Sequence, residues 1–211
     1  MGDVNEEYET IGAPVDVEIE ISRSRFLAHL ERVETEEGAR EAIARIRGAH
    51  PRARHHCSAF VLGPNGRVQR SNDDGEPSGT AGAPMLDALV SAGLSDVVAV
   101  VTRYFGGVLL GAGGLTRAYR GAVAEAVLRS ERVRRGLRRE VEVECSYEAA
   151  GAIEAEARRR GYAVGSADYS DRVVQRFAVA EHEVAALEAV AAELSAGAAR
   201  SRRGAAAYVD L

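Results

Sequence analysis

The sequence predicts an α+β protein of two domains, and three observations point there. Short segments of period two alternate with segments of helical period along the chain. A charged stretch with one glycine, Val133 to Arg139 (VRRGLRR), breaks that pattern and separates a domain at residues 1–134 from one at 138–211. Beyond it the order is strand, helix, strand, strand, helix, strand. This βαββαβ order is ferredoxin-like and packs two helices on one face of an antiparallel sheet.

The elements follow in order. Residues 15–21 (VDVEIEI) alternate apolar and acidic side chains, as a half-exposed strand does, and Ser24 to Val33 is its partner with Phe26, Ala28 and Leu30 on one face. A helix starts at Thr35 with Glu36 and Glu37 in its first turn, buries Ala39, Ile43 and Ile46, and ends at His50-Pro51. Cys57 to Leu62 is a short apolar strand, followed by the turn Pro64-Asn65-Gly66 and a strand from Arg67 to Ser71. Neither period survives from Asn72 to Gly82, which reads as a loop leading into a helix from about Pro84 to Ala92. Val97 to Val101 is a buried strand and Leu115 to Arg132 a helix that buries Tyr119, Val123, Ala126 and Val127. In the second domain the strands are 140–147, 162–169, 172–179 and 203–209, with helices at 148–160 and 181–196.

The organising stretch is VVAVVTRYFGGVLLGAGGLTRAY, residues 97–119. Gly106, Gly107, Gly111, Gly113 and Gly114 place five glycines in nine residues, which is costly to order because glycine loses the most backbone freedom on folding. Such a loop is kept where backbone takes positive φ or where another group must approach closely. A strand feeding a glycine turn into a helix start also offers free N–H donors and a positive dipole end. With Arg103 and Arg117 the only charges in the stretch, it reads either as an anion-binding surface or as a glycine-packed crossover without a ligand.

Composition limits the function classes. The 211 residues carry a formal charge of −5 and a pI near 5.6, which argues against a generally basic nucleic-acid coat but leaves room for a local basic patch. All 27 basic residues are arginine. Cys57 and Cys145 form no CxxC, which fits a reducing compartment. No run reaches the roughly 20 apolar residues of a membrane span, and residues 1–10 (MGDVNEEYET) lack a signal-peptide layout, so a cytoplasmic protein without membrane contact is expected. Aromatics make up only 5% of the chain, which disfavours a design built on many base-stacking platforms.

Two clusters carry candidate chemistry. Asp73, Asp74 and Glu76 on the loop could hold Mg²⁺ while His55 or His56 acts as general base in a hydrolysis; alternatively the two aspartates are turn and cap residues. His55-His56-Cys57 is a poor zinc site, because neighbours on a strand point to opposite faces and no second Cys/His pair exists; no metal or cofactor is assigned. One histidine is expected against the acidic loop and the other toward solvent. Cys57, opening an apolar strand, is expected to be inert. The second cluster is basic: Arg52, Arg54, Arg103, Arg117 and Arg120, which either form a positive concavity with the glycine loop or pair with the loop carboxylates.

Three separated motifs in order now carry a resemblance. His50-Pro51 with Arg54-His55-His56-Cys57 is the first. Asp73-Asp74-Gly75-Glu76-Pro77 with Gly79-Thr80-Ala81-Gly82 and Pro84-Met85-Leu86 is the second. Arg103-Tyr104-Phe105-Gly106-Gly107 with Leu110-Gly111 and Gly113-Gly114-Leu115 is the third. Together they resemble the YigZ/IMPACT family over roughly Ser22 to Arg132, and residues 140–211 resemble the smaller C-terminal domain of its bacterial and archaeal members. Members often carry lysine where Ala83 and Arg117 stand here; Arg117 keeps the charge and Ala83 does not.

The resemblance implies an N-terminal domain like the second domain of ribosomal protein S5, with helices over one face of a mixed sheet. It also implies a C-terminal domain similar to the last domain of elongation factor G, and so a pair resembling domains that work against ribosomal RNA. Eukaryotic members restrain a stress-activated translation kinase through an additional N-terminal domain, and that partner is not expected here. The resulting expectation is a translation-associated regulator that binds RNA or the ribosome. Its surface comprises Arg54, Arg103, Tyr104, Gly106, Gly107, Gly111, Gly113, Gly114, Arg117 and Arg120. The alternatives are a hydrolase or other enzyme on a phosphorylated or nucleotide substrate, using His55, His56, Asp73, Asp74 and Glu76, or a protein-interaction regulator. The first requires loop amides and guanidinium groups free of internal partners.

Overall fold

The computed structural model describes residues 6–211. The chain divides into two units, the first ending at Arg134 and the second running from Arg135 to Leu211. The first holds β1 (Glu7–Ile11), β2 (Val15–Ile21), β3 (Ser24–Arg32), α1 (Glu36–Ala49), β4 (His55–Leu62), β5 (Val68–Asn72), α2 (Gly82–Ser91), β6 (Val97–Tyr104) and α3 (Gly111–Arg129). β7 (Arg132–Cys145) begins in the first unit and continues in the second, followed by α4 (Tyr147–Arg159), β8 (Ala163–Tyr169), β9 (Val173–Val179), α5 (Val184–Leu194) and β10 (Arg200–Asp210). The architecture is α+β.

In the first unit the sheet order is β2-β3-β6-β4-β5, every neighbouring pair antiparallel. β6 lies at its centre and is covered on both faces. Val97, Ala99 and Val101 pack with Met85 and Leu89 of α2 and Leu115, Tyr119 and Val123 of α3. Val98 and Val100 point the other way, onto Ala39 and Ala42 of α1. Two covered faces explain why VVAVV shows no alternation. The implied arrangement, helices over one face of a mixed sheet, is corrected on both counts. The strands are all antiparallel, and α1 crosses from β3 to β4 on the face opposite α2 and α3.

Local signals explain most boundaries. Thr35 Oγ1 accepts the Gly38 N–H at 3.0 Å, an N-cap that opens α1. Ser146 does the same for Ala149 at the start of α4. α3 begins at Gly111 rather than Leu115, so Gly111, Gly113 and Gly114 form its first turn and the loop shrinks to residues 105–110. β1 was not expected. It buries Tyr8, Thr10 and Ile11, and just beyond it Gly12 donates its N–H to Glu131 O beside the opening of β7. Its acidic residues meet cations from the far end of the unit, with Glu9 paired to Arg132 and Glu7 to Arg134.

The second unit has the sheet order β10-β7-β9-β8, with α4 and α5 on one face. Val141, Val143, Phe177 and Val179 pack there against Ile153, Leu187 and Ala191, the ferredoxin-like layout. The charged stretch around 133–139 is strand rather than linker: Arg135 to Arg139 pair with Asp210 to Ala206. Among the described residues, no helix is long and apolar enough to cross a membrane.

Candidate functional site

The site is built where β6 ends. Phe26 of β3, Arg103 of β6 and His55 of β4 are direct cross-strand neighbours. Arg103 is 7% exposed, and its Nη1 donates to Glu76 Oε1 at 2.7 Å. The Tyr119 hydroxyl of α3 donates to the same oxygen, also at 2.7 Å. The guanidinium lies between two rings, 5.5 Å from the Phe26 centroid and 5.6 Å from that of Phe105. A charge taken this far out of water needs a close counter-charge, and Glu76 from the acidic loop supplies it. Arg103 and Glu76 therefore form a buried ion pair that ties the loop to the sheet. Arg103 is not a free anion-binding group.

The aspartates of the loop are equally committed. Asp73 Oδ1 accepts from Ala81 N (3.0 Å) and Gly82 N (2.8 Å), and Oδ2 from Gly79 N (2.8 Å), so one carboxylate caps the start of α2 from outside the helix. Burial pushes the Asp73 pKa up, but the three N–H donors outweigh it and the net shift is downward. Asp74, at φ +44°, accepts from the His56 backbone N–H at 2.6 Å and pairs with Arg47 at 2.8 Å. These are the turn and cap roles, and they leave little capacity for Mg²⁺. Among the described residues no group of three His, Cys, Asp or Glu side chains is arranged to hold a metal.

One histidine was expected against the acidic loop and the other in solvent, but both lie beside Asp74 and neither is fully exposed. His55 is half-buried, its Nδ1 2.9 Å from the Asp74 carbonyl oxygen. His56 is 3% exposed with Nε2 3.2 Å from His50 O, and burial holds its pKa below the ordinary histidine value. An imidazole so enclosed cannot reach a substrate proton. The Cys57 thiol donates to Asp73 O, and burial pushes its pKa up to about 12.

What remains open is a cleft of about 590 Å³ lined by Arg52, Ala53, Arg54, His55, Arg103, Tyr104, Phe105 and Leu109. Arg52 and Arg54 are exposed and have no ion pair among the described residues. Phe105 is 57% exposed and Leu109 88%. Tyr104 is anchored by a hydrogen bond between its hydroxyl and His50 Nδ1 at 3.0 Å.

Of the expected surface, Arg54, Arg103 and Tyr104 meet at this cleft. Gly113, Gly114, Arg117 and Arg120 do not line it. Arg120 is instead paired with Asp87 of α2, and Arg117 is exposed, its Nη1 near Gly113. Gly107 and Gly111 take positive φ, +84° and +66°. Gly106 has a steric cause: a Cβ there would sit 2.0 Å from the backbone carbonyl of Arg23, in the β2–β3 turn. No residue at the N-terminus of α3 provides a side-chain cap. The apolar members Phe105 and Leu109 were missed as site residues. The available signal was two large apolar side chains in a glycine loop with no helical or strand period to bury them.

A family model for the Impact N-terminal domain matches residues 22–127, a stretch that contains the acidic loop, both histidines and the glycine loop. This chain belongs to the IMPACT family. Within the family, it is 43% identical over 203 residues to IMPACT family member YvyE of Bacillus subtilis (strain 168), covering 96% of this chain and 94% of the relative. It is 40% identical over 187 residues to IMPACT family member YigZ of Escherichia coli (strain K12), covering 88% and 92%. A second model, Domain of unknown function (DUF1949), matches residues 143–198 of this IMPACT-family chain. A crystal structure described as that of a hypothetical protein is similar with a TM-score of 0.65 and 38% identity, over 93% of this chain and 96% of that one.

Proposed function

We propose that this IMPACT-family protein is a translation-associated factor that binds RNA, free or within the ribosome, through the cleft of its first unit. One observation carries the reading: Arg52 and Arg54 present two exposed guanidinium groups without carboxylate partners beside an exposed aromatic ring. Elsewhere arginines are widely paired with acids, as at Arg47, Arg103, Arg120, Arg158 and Arg203. Cations left unpaired at an open cleft are available to phosphate, and arginine offers it a bidentate fork. The hydrolytic alternative finds less support, because Asp73, Asp74 and Glu76 are occupied in holding the loop. The translational setting is supported by the resemblance of the two units to domains that work on ribosomal RNA.

The test is filter binding to ribosomal RNA fragments across a salt series. Affinity should fall linearly on a log–log plot, and Arg52→Ala/Arg54→Ala should reduce the slope by about 1.4, at roughly 0.7 per single-strand phosphate contact. No binding at low salt, or binding insensitive to salt, overturns the reading.

A further inference from the structure

The cleft contains more than charge. Phe105 protrudes from a glycine loop with most of its ring in solvent, although the core nearby buries Phe26 and Tyr119 completely. The ring is not loose. One face rests on the Arg103 guanidinium, which Glu76 anchors and Phe26 backs. A ring seated on a fixed cation is already placed, so a ligand stacking on it incurs little ordering cost. Beside it stand His55 and the aliphatic Leu109, with Arg52 and Arg54 completing the lining. The volume, about 590 Å³, falls in the range of small-ligand clefts, about 300–1,000 Å³.

We infer that the cleft takes one unpaired nucleotide of a single-stranded RNA, its base against Phe105 and its two flanking phosphates on Arg52 and Arg54. The inference deepens the RNA reading above and rests on it. Its basis is the combination of an exposed aromatic face with two unpaired cations. In an A-form duplex the base faces are stacked on one another and only phosphates, sugars and groove edges are presented; an unpaired base offers its face as well. A phosphate-only site would need the arginines and leave the exposed ring without a purpose.

The experiment measures fluorescence anisotropy of the full chain with a labelled single strand and with a duplex of the same length, at one salt concentration, with a mononucleotide as competitor. Three variants are compared: Phe105→Ala, Phe105→Leu and Phe105→Tyr. The leucine keeps an apolar cover over Arg103 without an aromatic face, so its loss of binding is separable from a folding defect. The expected result is preference for the single strand, about tenfold weaker single-strand binding for the alanine and leucine variants, retention in the tyrosine variant, and little change on the duplex. The mononucleotide should compete, only at much higher concentration than the strand. Equal binding of both RNA forms with all three variants unaffected overturns the inference while leaving phosphate-mediated RNA binding intact. Failure of both RNA forms to bind at low salt overturns the two readings together and leaves Phe105 and Leu109 to a protein partner.

Discussion

Asp73 shows how much one carboxylate can organise. Its two oxygens gather Gly79, Ala81 and Gly82, so the acid loop and the start of α2 share one acceptor. Because the N–H donors hold its folded pKa below the ordinary value of 3.8, its contribution is fully present above that value and is lost as pH falls through the depressed folded one. Asp73→Asn should cost about 2 kcal/mol at pH 7, the scale of a charge-assisted hydrogen bond, with the difference from wild type shrinking in acid. Urea melts at pH 7 and near pH 3 check the sign; a deficit that grows in acid contradicts it. Glu76 is a sharper case. Glu76→Gln leaves the Arg103 cation buried without its counter-charge and should cost about 3–5 kcal/mol. Replacing Arg103 and Glu76 together with methionine should recover much of that loss in the same melts.

At the scale of elements, the β6–α3 connection answers to packing before it answers to any ligand. Gly106 lies against the backbone of Arg23, so Gly106→Ala forces β6 and the β2–β3 turn apart. The expected loss is about 1–3 kcal/mol, the cost of an overpacked contact, read as a lowered thermal midpoint. Gly113→Ala, whose added methyl meets only the end of the Arg117 side chain at 3.6 Å, should leave the midpoint unchanged or raise it. The elements themselves were largely legible: the alternation of VDVEIEI gives β2, and Thr35 and Ser146 cap α1 and α4. β1 was not, because EYETI reads as an acidic lead until Arg132 and Arg134 are brought beside it. Nor was the strand character of 132–139, since its partner β10 lies more than 60 residues away. The first turn of α3 was hidden by its glycines, whose poor helix propensity argues against a helix there.

For the whole molecule, each unit encloses a core of its own, centred on β6 and Tyr119 in the first and on Phe177 and Ile153 in the second. Residues 135–211 expressed alone should therefore unfold in one cooperative urea transition with helical and sheet signal retained; a broad, non-cooperative loss would show that its core is insufficient. The net charge of −5 misrepresents the cleft, because it averages over the whole chain while Arg52 and Arg54 stand there without acidic partners.

The periods, the capping residues and the glycine and proline breaks are local properties, and from them alone the sequence determined the α+β class and the βαββαβ order. Which cations stay available was decided only by tertiary structure. Arg103 and Glu76 are 27 residues apart, and Arg120 meets Asp87 from another helix. Pairing between different elements depends on distance in space, and no local pattern along the chain encodes it.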